Sequence, residues 1–376
     1  MQTPRPLSRR TLIAAGAAGL VATVAPAAPA ARAAGTRADA RFHTVGRVAR
    51  AADGTVAYSW PGVSFEGRFH GTGVGVVLDD ADNDYDVQVD GATMATLVTP
   101  GRTVSWIDGL ADGGHRVRVV KRTESPWAAG RFGGFVAAPG GAILARPRAR
   151  DRQIEFIGDS YTAGYGNVST TQDCSGNGGV NRNSNADLAF GALTARRLDA
   201  DFQINAFSGR GMVRNYNGGE PGSDFRTYYD RALLNVEGDV WRKPDRWRPR
   251  VVVIGLGIND FSTPLNPGER WSTTAELVTA YEGAYHGFLD KLRARYGRGT
   301  FLVVAAARLW NTTAFTEATL RIVQERVRRG DGRVSHWYYD DPGLDHLGCD
   351  WHPSLHDHRI ISGLLDDHLA GLPLRW

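Results

Sequence analysis

The chain has 376 residues, 42% of them hydrophobic and 22% charged, the make-up of an ordinary soluble globular protein long enough for two domains. Its formal net charge of +4 is carried by the amino terminus: residues 1–33 hold Arg5, Arg9, Arg10 and Arg32 and no acidic residue. Removing those four from the 44 Lys and Arg leaves 40 against 40 Asp and Glu, so the remainder is neutral and gives no electrostatic case for a nucleic-acid partner.

Residues 1–35 read as an export segment. Ser8-Arg9-Arg10-Thr11-Leu12-Ile13 is a twin-arginine pattern, an Ala/Gly/Val-rich stretch follows, and Ala31-Arg32-Ala33 offers small residues for cleavage. Pro26 and Pro29 interrupt the segment, whose apolar part is shorter than the roughly 20 residues a span needs. The expectation is secretion by the twin-arginine route, with no stable membrane association afterwards.

Residues 36–148 predict an all-β, jelly-roll-type sandwich. Val74–Leu78, Tyr85–Val89 and His115–Val120 alternate with period two, Asp90-Gly91 signals a hairpin and Asp112-Gly113-Gly114 another turn. The acidic group Asp79, Asp80, Asp82, Asp84 and Asp86 lacks the glycine and glutamate of a calcium-binding loop and reads as a solvated hairpin tip. Ala145-Arg146-Pro147-Arg148-Ala149-Arg150 reads as a linker.

From 149 to 376 strands alternate with helices, which implies an α/β/α domain with a parallel sheet covered on both faces. Strands are expected at 152–157, 201–206, 251–256, 300–306 and 334–339, and helices near 185–199, 224–236, 274–296, 314–329 and 355–370. Four strand ends carry polar blocks. Gly158-Asp159-Ser160 presents a serine at a carboxyl-terminal strand edge, where α/β proteins bind ligands. Ser208-Gly209 follows the second strand, where Gly209 lets a backbone N–H approach a substrate closely. Gly257-Ile258-Asn259-Asp260 follows the third and offers an amide donor. Asp350-Trp351-His352-Pro353 precedes the last helix and offers an imidazole. Together they supply what a serine esterase needs: a nucleophile (Ser160), a base (His352), an orienter (Asp350) and oxyanion donors (Gly209 N–H, Asn259). His352 and His356 lie four apart, but Pro353 breaks a shared helical face and no His-Glu-x-x-His is present, so no metal is assigned. The chemistry requires no cofactor. Cys174 and Cys349 are the only two cysteines; in an exported protein they are expected to pair, stapling the loop after Ser160 to the loop before His352. Closing so long a loop contributes about 4–5 kcal/mol in the chain-entropy model.

Those blocks resemble the SGNH (GDSL-type) hydrolases over residues 151–376. Glu66-Gly67-Arg68-Phe69-His70-Gly71-Thr72-Gly73-Val74, with Val76–Asp80, is similar to the amino-terminal jelly roll of carbohydrate esterase family 2, as is Gly348–Ser354 to that family's last block. The resemblance implies removal of acetyl groups from wall polysaccharides such as acetylated xylan or glucomannan, through the residue roles just given, with the Ser160 N–H completing the oxyanion hole. One departure stands out: SGNH enzymes usually place Asp three residues before the histidine, and here Cys349 occupies that position. Asp350, at minus two, can supply either its carboxylate or its backbone carbonyl. Trp351 and Trp310 offer aromatic faces for sugar rings. Two rival readings are a secreted lipase or phospholipase on the same catalytic fold, though no apolar lid is evident, and a non-catalytic carbohydrate-binding protein.

Overall fold

A computed structural model describes residues 41–376; the export segment lies outside the described residues. Two antiparallel sheets form the amino-terminal half. One runs Phe42–Val45, Ser64–His70, Gly114–Lys121, Tyr85–Val89, Ala92–Leu97, with Ala142–Ile143 also on Ser64–His70; the other runs Ala49–Arg50, Val56–Tyr58, Gly130–Ala137, Val74–Asp80, Gly101–Ile107. Alternating side chains point between them: Phe65 of the first sheet stacks on Phe132 of the second at 4.1 Å, and Phe42 meets Phe132 edge-on at 5.0 Å. Asp90 and Gly91 both take positive φ (51° and 87°) between paired strands, as a tight hairpin of primed type requires.

The second half is a five-stranded parallel sheet in the order Ala200–Ala206, Arg152–Gly158, Val251–Gly255, Phe301–Ala307, Val334–Tyr339. The expected strands are all present to within a residue. The central strands Val251–Gly255 and Phe301–Ala307 are apolar on both faces, whereas the edge strand Ala200–Ala206 turns Asp201, Gln203 and Asn205 to one side. Phe156, Val253 and Val303 pack towards the helices Phe190–Arg197 and Leu355–Ala370, whereas Val252, Ile254 and Val304 pack towards Thr274–Tyr296 and Ala314–Arg328. Connections diverge on either side of Arg152–Gly158, which makes its carboxyl end the switch point where such sheets open a crevice. Gly158 pairs with Ala206 on one side and Gly255 on the other, so three loops leave the sheet at one level.

The two halves share a core. The sandwich interior and the face under Thr274–Tyr296 form one continuous apolar cluster, and Arg47 of the sandwich, fully buried, reaches Glu155 at 2.8 Å while lying 4.5 Å over Tyr229 and 4.3 Å over Trp241. Glu155 is therefore tolerated inside a buried strand because its charge is matched. The linker is anchored through Arg150, whose guanidinium meets Glu66 at 3.0 Å and Asp201 at 2.9 Å.

Two expectations fail. The helix expected over 224–236 stops after Phe225–Tyr228. Beyond it the backbone is satisfied by side chains and the sandwich: Ala232 and Leu233 N–H donate to Asp239, Leu234 N–H to Ser59, and Arg47 takes the Tyr229 carbonyl. The acidic group is no solvated tip, because Asp80, Asp84 and Asp86 are buried. Asp80 accepts the Asp82 and Asn83 N–H groups and the Tyr85 hydroxyl, Asp84 pairs with Arg182, and Asp86 accepts Asn185 Nδ2 at 2.9 Å. The Asp84 and Asp86 bonds dock the sandwich onto the loop that follows Ser160, whereas those of Asp80 close its own turn. Among the described residues no helix is long and apolar enough to cross a membrane.

Candidate active site

The nucleophile turn is built from local rules. Asp159 caps the short helix Ser160–Ala163 by accepting the Tyr161 N–H at 3.1 Å, and Gly164 ends it in a left-handed conformation, so Ser160 sits at the first helical position with an N–H that the helix cannot use. A Cβ on Gly158 would lie 2.1 Å from Thr162 Oγ1, which is why the strand must end in glycine for the turn to fold back. Burial pushes the Asp159 carboxyl up to about 7 against its capping bond.

Ser160 and His352 are brought together: His352 Nε2 lies 2.8 Å from Ser160 Oγ. The other ring nitrogen faces two carbonyls, Cys349 O at 2.9 Å and Asp350 O at 3.1 Å. Carbonyls only accept, so Nδ1 carries the proton, Nε2 is the free base, and the serine hydroxyl donates to it. Asp350 thus orients the imidazole with its backbone. Its carboxylate instead accepts the Tyr165 hydroxyl at 2.8 Å, and the Tyr165 ring lies against His352 with centroids 4.3 Å apart. Burial lowers the His352 pKa below the usual 6.5, opposed by the two carbonyls and the Asp350 charge.

The base loop has an unusual backbone. Asp350 and Trp351 are consecutive left-handed residues, φ 51° and 64°, each a conformation costing of order 1–3 kcal/mol. They aim both carbonyls inward. Cys349 is disulfide-bonded to Cys174, its N–H donates to Gly166 O at 3.1 Å, and Asp350 N–H donates to Gln172 O at 2.8 Å. On the far side, Asp357 accepts the Ser354, Asp345 and His346 N–H groups at 2.8–3.1 Å. That carboxylate belongs to the one group of three metal-type side chains found among the described residues, Asp345, His356 and Asp357, but its oxygens are already spent on backbone donors.

The oxyanion side comes from the neighbouring strand ends. Gly209 takes φ 77°, and neither its N–H nor that of Ser160 finds an acceptor among the described residues. Asn259 Nδ2 donates to Arg210 O at 3.0 Å and lies 3.3 Å from Asp159 Oδ2, which ties the third block to the other two. Asp260 accepts three consecutive N–H groups, Met212, Val213 and Arg214, at 2.8–2.9 Å; burial still pushes it up to about 6. Glu124, from the sandwich loop after Gly114–Lys121, accepts the Ser208 N–H at 2.7 Å and its hydroxyl, fixing the residue before Gly209. Trp310 and Trp351 are 78% and 69% exposed, so neither is core. Trp310 borders a cavity of about 100 Å³ with Tyr161, beside the nucleophile, and Trp351 stands next to the base.

The sequence did not single out Cys349 O, Tyr165 or Glu124. Only Tyr165 had a local signal, being an aromatic within the glycine-rich turn after the serine.

Comparison with known proteins matches residues 44–147 to a model described as the carbohydrate esterase 2 amino-terminal domain and residues 156–368 to the GDSL-like lipase/acylhydrolase family. The chain is 40% identical over 312 residues to an acetylxylan esterase/glucomannan deacetylase of Cellvibrio japonicus, covering 83% of this chain and 84% of that protein. It is 32% identical to the cellulase/esterase CelE of Acetivibrio thermocellus, over 81% of this chain and 36% of that larger protein. Among solved structures, a carbohydrate esterase whose active site is described as having divergent catalytic and non-catalytic binding functions superposes with TM-score 0.81 at 37% identity, covering 88% of this chain and 98% of that one. A family two carbohydrate esterase from Clostridium thermocellum in complex with cellohexaose gives 0.77 at 30% identity, over 87% and 98%.

Proposed function

This chain belongs to the GDSL-like acylhydrolases as a carbohydrate esterase of family 2, and from that premise we propose that it removes acetyl groups from wall polysaccharides such as acetylated xylan or glucomannan. The observation that carries this reading is the 2.8 Å contact between Ser160 Oγ and a His352 whose tautomer is set by two carbonyls. Ser160 Oγ attacks the acetyl carbonyl carbon as its proton passes to His352 Nε2. The oxyanion forms against the Ser160 and Gly209 N–H groups and the Asn259 amide, whose Nδ2 gives up its longer bond to Asp159 Oδ2 (3.3 Å) while keeping that to Arg210 O. The imidazolium returns the proton to the departing sugar oxygen, leaving acetyl-serine. Water then repeats the sequence with His352 as base, releasing acetate. No carboxylate faces the imidazolium, so this is a dyad supported by backbone dipoles.

Export by the twin-arginine segment belongs to the same reading and agrees with the Cys174–Cys349 disulfide, a bond suited to oxidising compartments. Replacing Arg9 and Arg10 by Lys should retain the protein inside the cell, as immunoblots of culture fluid would show. For the chemistry, Ser160→Ala should abolish acetate release from acetylated xylan and from an aryl acetate. Residual turnover above a few per cent of wild type would defeat it. A panel of esters of rising acyl length separates this reading from the lipase one, which requires long chains to outperform acetate.

A further inference from the structure

A cavity of about 370 Å³ lies where the sandwich meets the catalytic rim, bordered by Glu124, Trp127, Tyr165, Asn181, Phe207 and Ser208. The hydrolytic steps do not use it, yet it shares Tyr165 with His352 and Ser208 with the oxyanion loop. Three features of its lining ask for a ligand. Trp127 is 64% exposed, and its Nε1 donates to Asp82 Oδ1 at 3.3 Å, which fixes a large apolar ring against the sandwich instead of burying it. The Asn181 carboxamide has no partner among the described residues. Both Glu124 oxygens accept from Ser208, but each keeps a lone pair for another donor.

An apolar platform beside a free amide and a carboxylate matches a pyranose ring, which has an apolar C–H face and a rim of hydroxyls. A fatty acyl chain would cover the indole but leave Asn181 unpaired in a dry site. The volume falls within the ordinary range of about 300–1,000 Å³ for small-ligand pockets. We infer that this cavity is a sugar subsite on the sandwich side of Ser160, holding a neutral pyranose unit of the polysaccharide adjacent to the acetylated one, with Trp127 stacked on its face and Asn181 bonded to its hydroxyls. The sandwich then supplies part of the substrate cleft. This rests on the polysaccharide esterase reading and extends it.

Two measurements test the subsite. In the inactive Ser160→Ala background, calorimetry with an acetylated xylo-oligosaccharide should show Trp127→Ala weakening Kd roughly three- to tenfold, the worth of one stacked ring, with Asn181→Ala weakening it too and Trp127→Phe restoring most of the loss. In the active protein, Trp127→Ala should lower the ratio of kcat/KM on the oligosaccharide to kcat/KM on an aryl acetate by a similar factor. An unchanged Kd, or an unchanged ratio, overturns the subsite. Failure of the underlying reading looks different: wild type would then hydrolyse aryl acetate but release no acetate from the oligosaccharide.

Discussion

Ser160 and His352 meet at 2.8 Å, but the two ends of that contact are held by opposite means. The nucleophile stands on regular structure: a buried strand, a capped turn, and neighbours whose register puts Gly209 and Asn259 at the same level. The base stands on irregular structure, a loop with two successive left-handed residues, a disulfide and an inserted glycine carbonyl. Regular elements place a side chain through hydrogen bonds that many sequences can make. The irregular loop places His352 through a few specific contacts, so it should be the more easily broken by changes outside the reacting groups.

The largest effect short of losing the nucleophile is expected on the regular side. Asn259→Ala removes an oxyanion donor and should lower kcat about 100- to 1,000-fold, with KM little changed. A loss below about tenfold would transfer the oxyanion role to the two backbone N–H groups alone. Next comes a test of the irregular side that touches no reacting group. A Cβ on Gly166 would lie 2.3 Å from Cys349 Cβ and 2.6 Å from its sulfur, at a residue with φ 59°. Gly166→Ala must therefore push the Cys349 carbonyl away from His352, and kcat should fall about 10- to 100-fold, as for an ångström-scale misplacement. Gly91→Ala, with open space around its Cβ at a hairpin with φ 87°, is the control for left-handed strain alone. Equal kcat losses in the two would erase the distinction between the ends.

The same division explains what was legible in the sequence. All five parallel strands and the four polar blocks announce themselves because an apolar run that stops at Gly-Asp-Ser or Gly-x-Asn-Asp says both where a strand ends and what it presents. Pairing of Cys174 with Cys349 followed from there being only two cysteines in a chain expected to be exported. By contrast, the orienting role of the Cys349 carbonyl depends on the conformations of Asp350 and Trp351, which neither residue type demands. Asp80, Asp84 and Asp86 look solvated in a string of aspartates. Asp80 is buried by bonds within its own turn, whereas Asp84 and Asp86 each have a partner on the loop after Ser160, about a hundred residues away. Glu124 escaped for the same reason: what matters about it is its contact with Ser208 in the other half of the molecule. The stretch after Tyr228 has helix-compatible residues but surrenders its backbone to Asp239 and Ser59.

The smallest effect is the most diagnostic for the base. Asp350→Asn keeps a residue type tolerant of the left-handed conformation and keeps an acceptor for the Tyr165 hydroxyl, while deleting the charge. Where a carboxylate orients the histidine, this substitution fixes the wrong tautomer and lowers kcat about 10,000-fold. Here Nδ1 donates to carbonyls that the substitution leaves in place, so kcat should stay within about threefold of wild type, as for loss of one near-surface charge. The pH profile should respond instead. In wild type, burial stabilises the neutral imidazole, so kcat/KM should rise with pH through a midpoint below 6.5, the free enzyme's base being already formed at that pH. The Asp350 charge opposes that shift by favouring the imidazolium. Deleting it should move the midpoint to still lower pH, by a fraction of a unit as expected for one partly screened charge. A midpoint that moves upward, or a kcat that collapses, would mean that the carboxylate swings from Tyr165 to His352 when substrate binds.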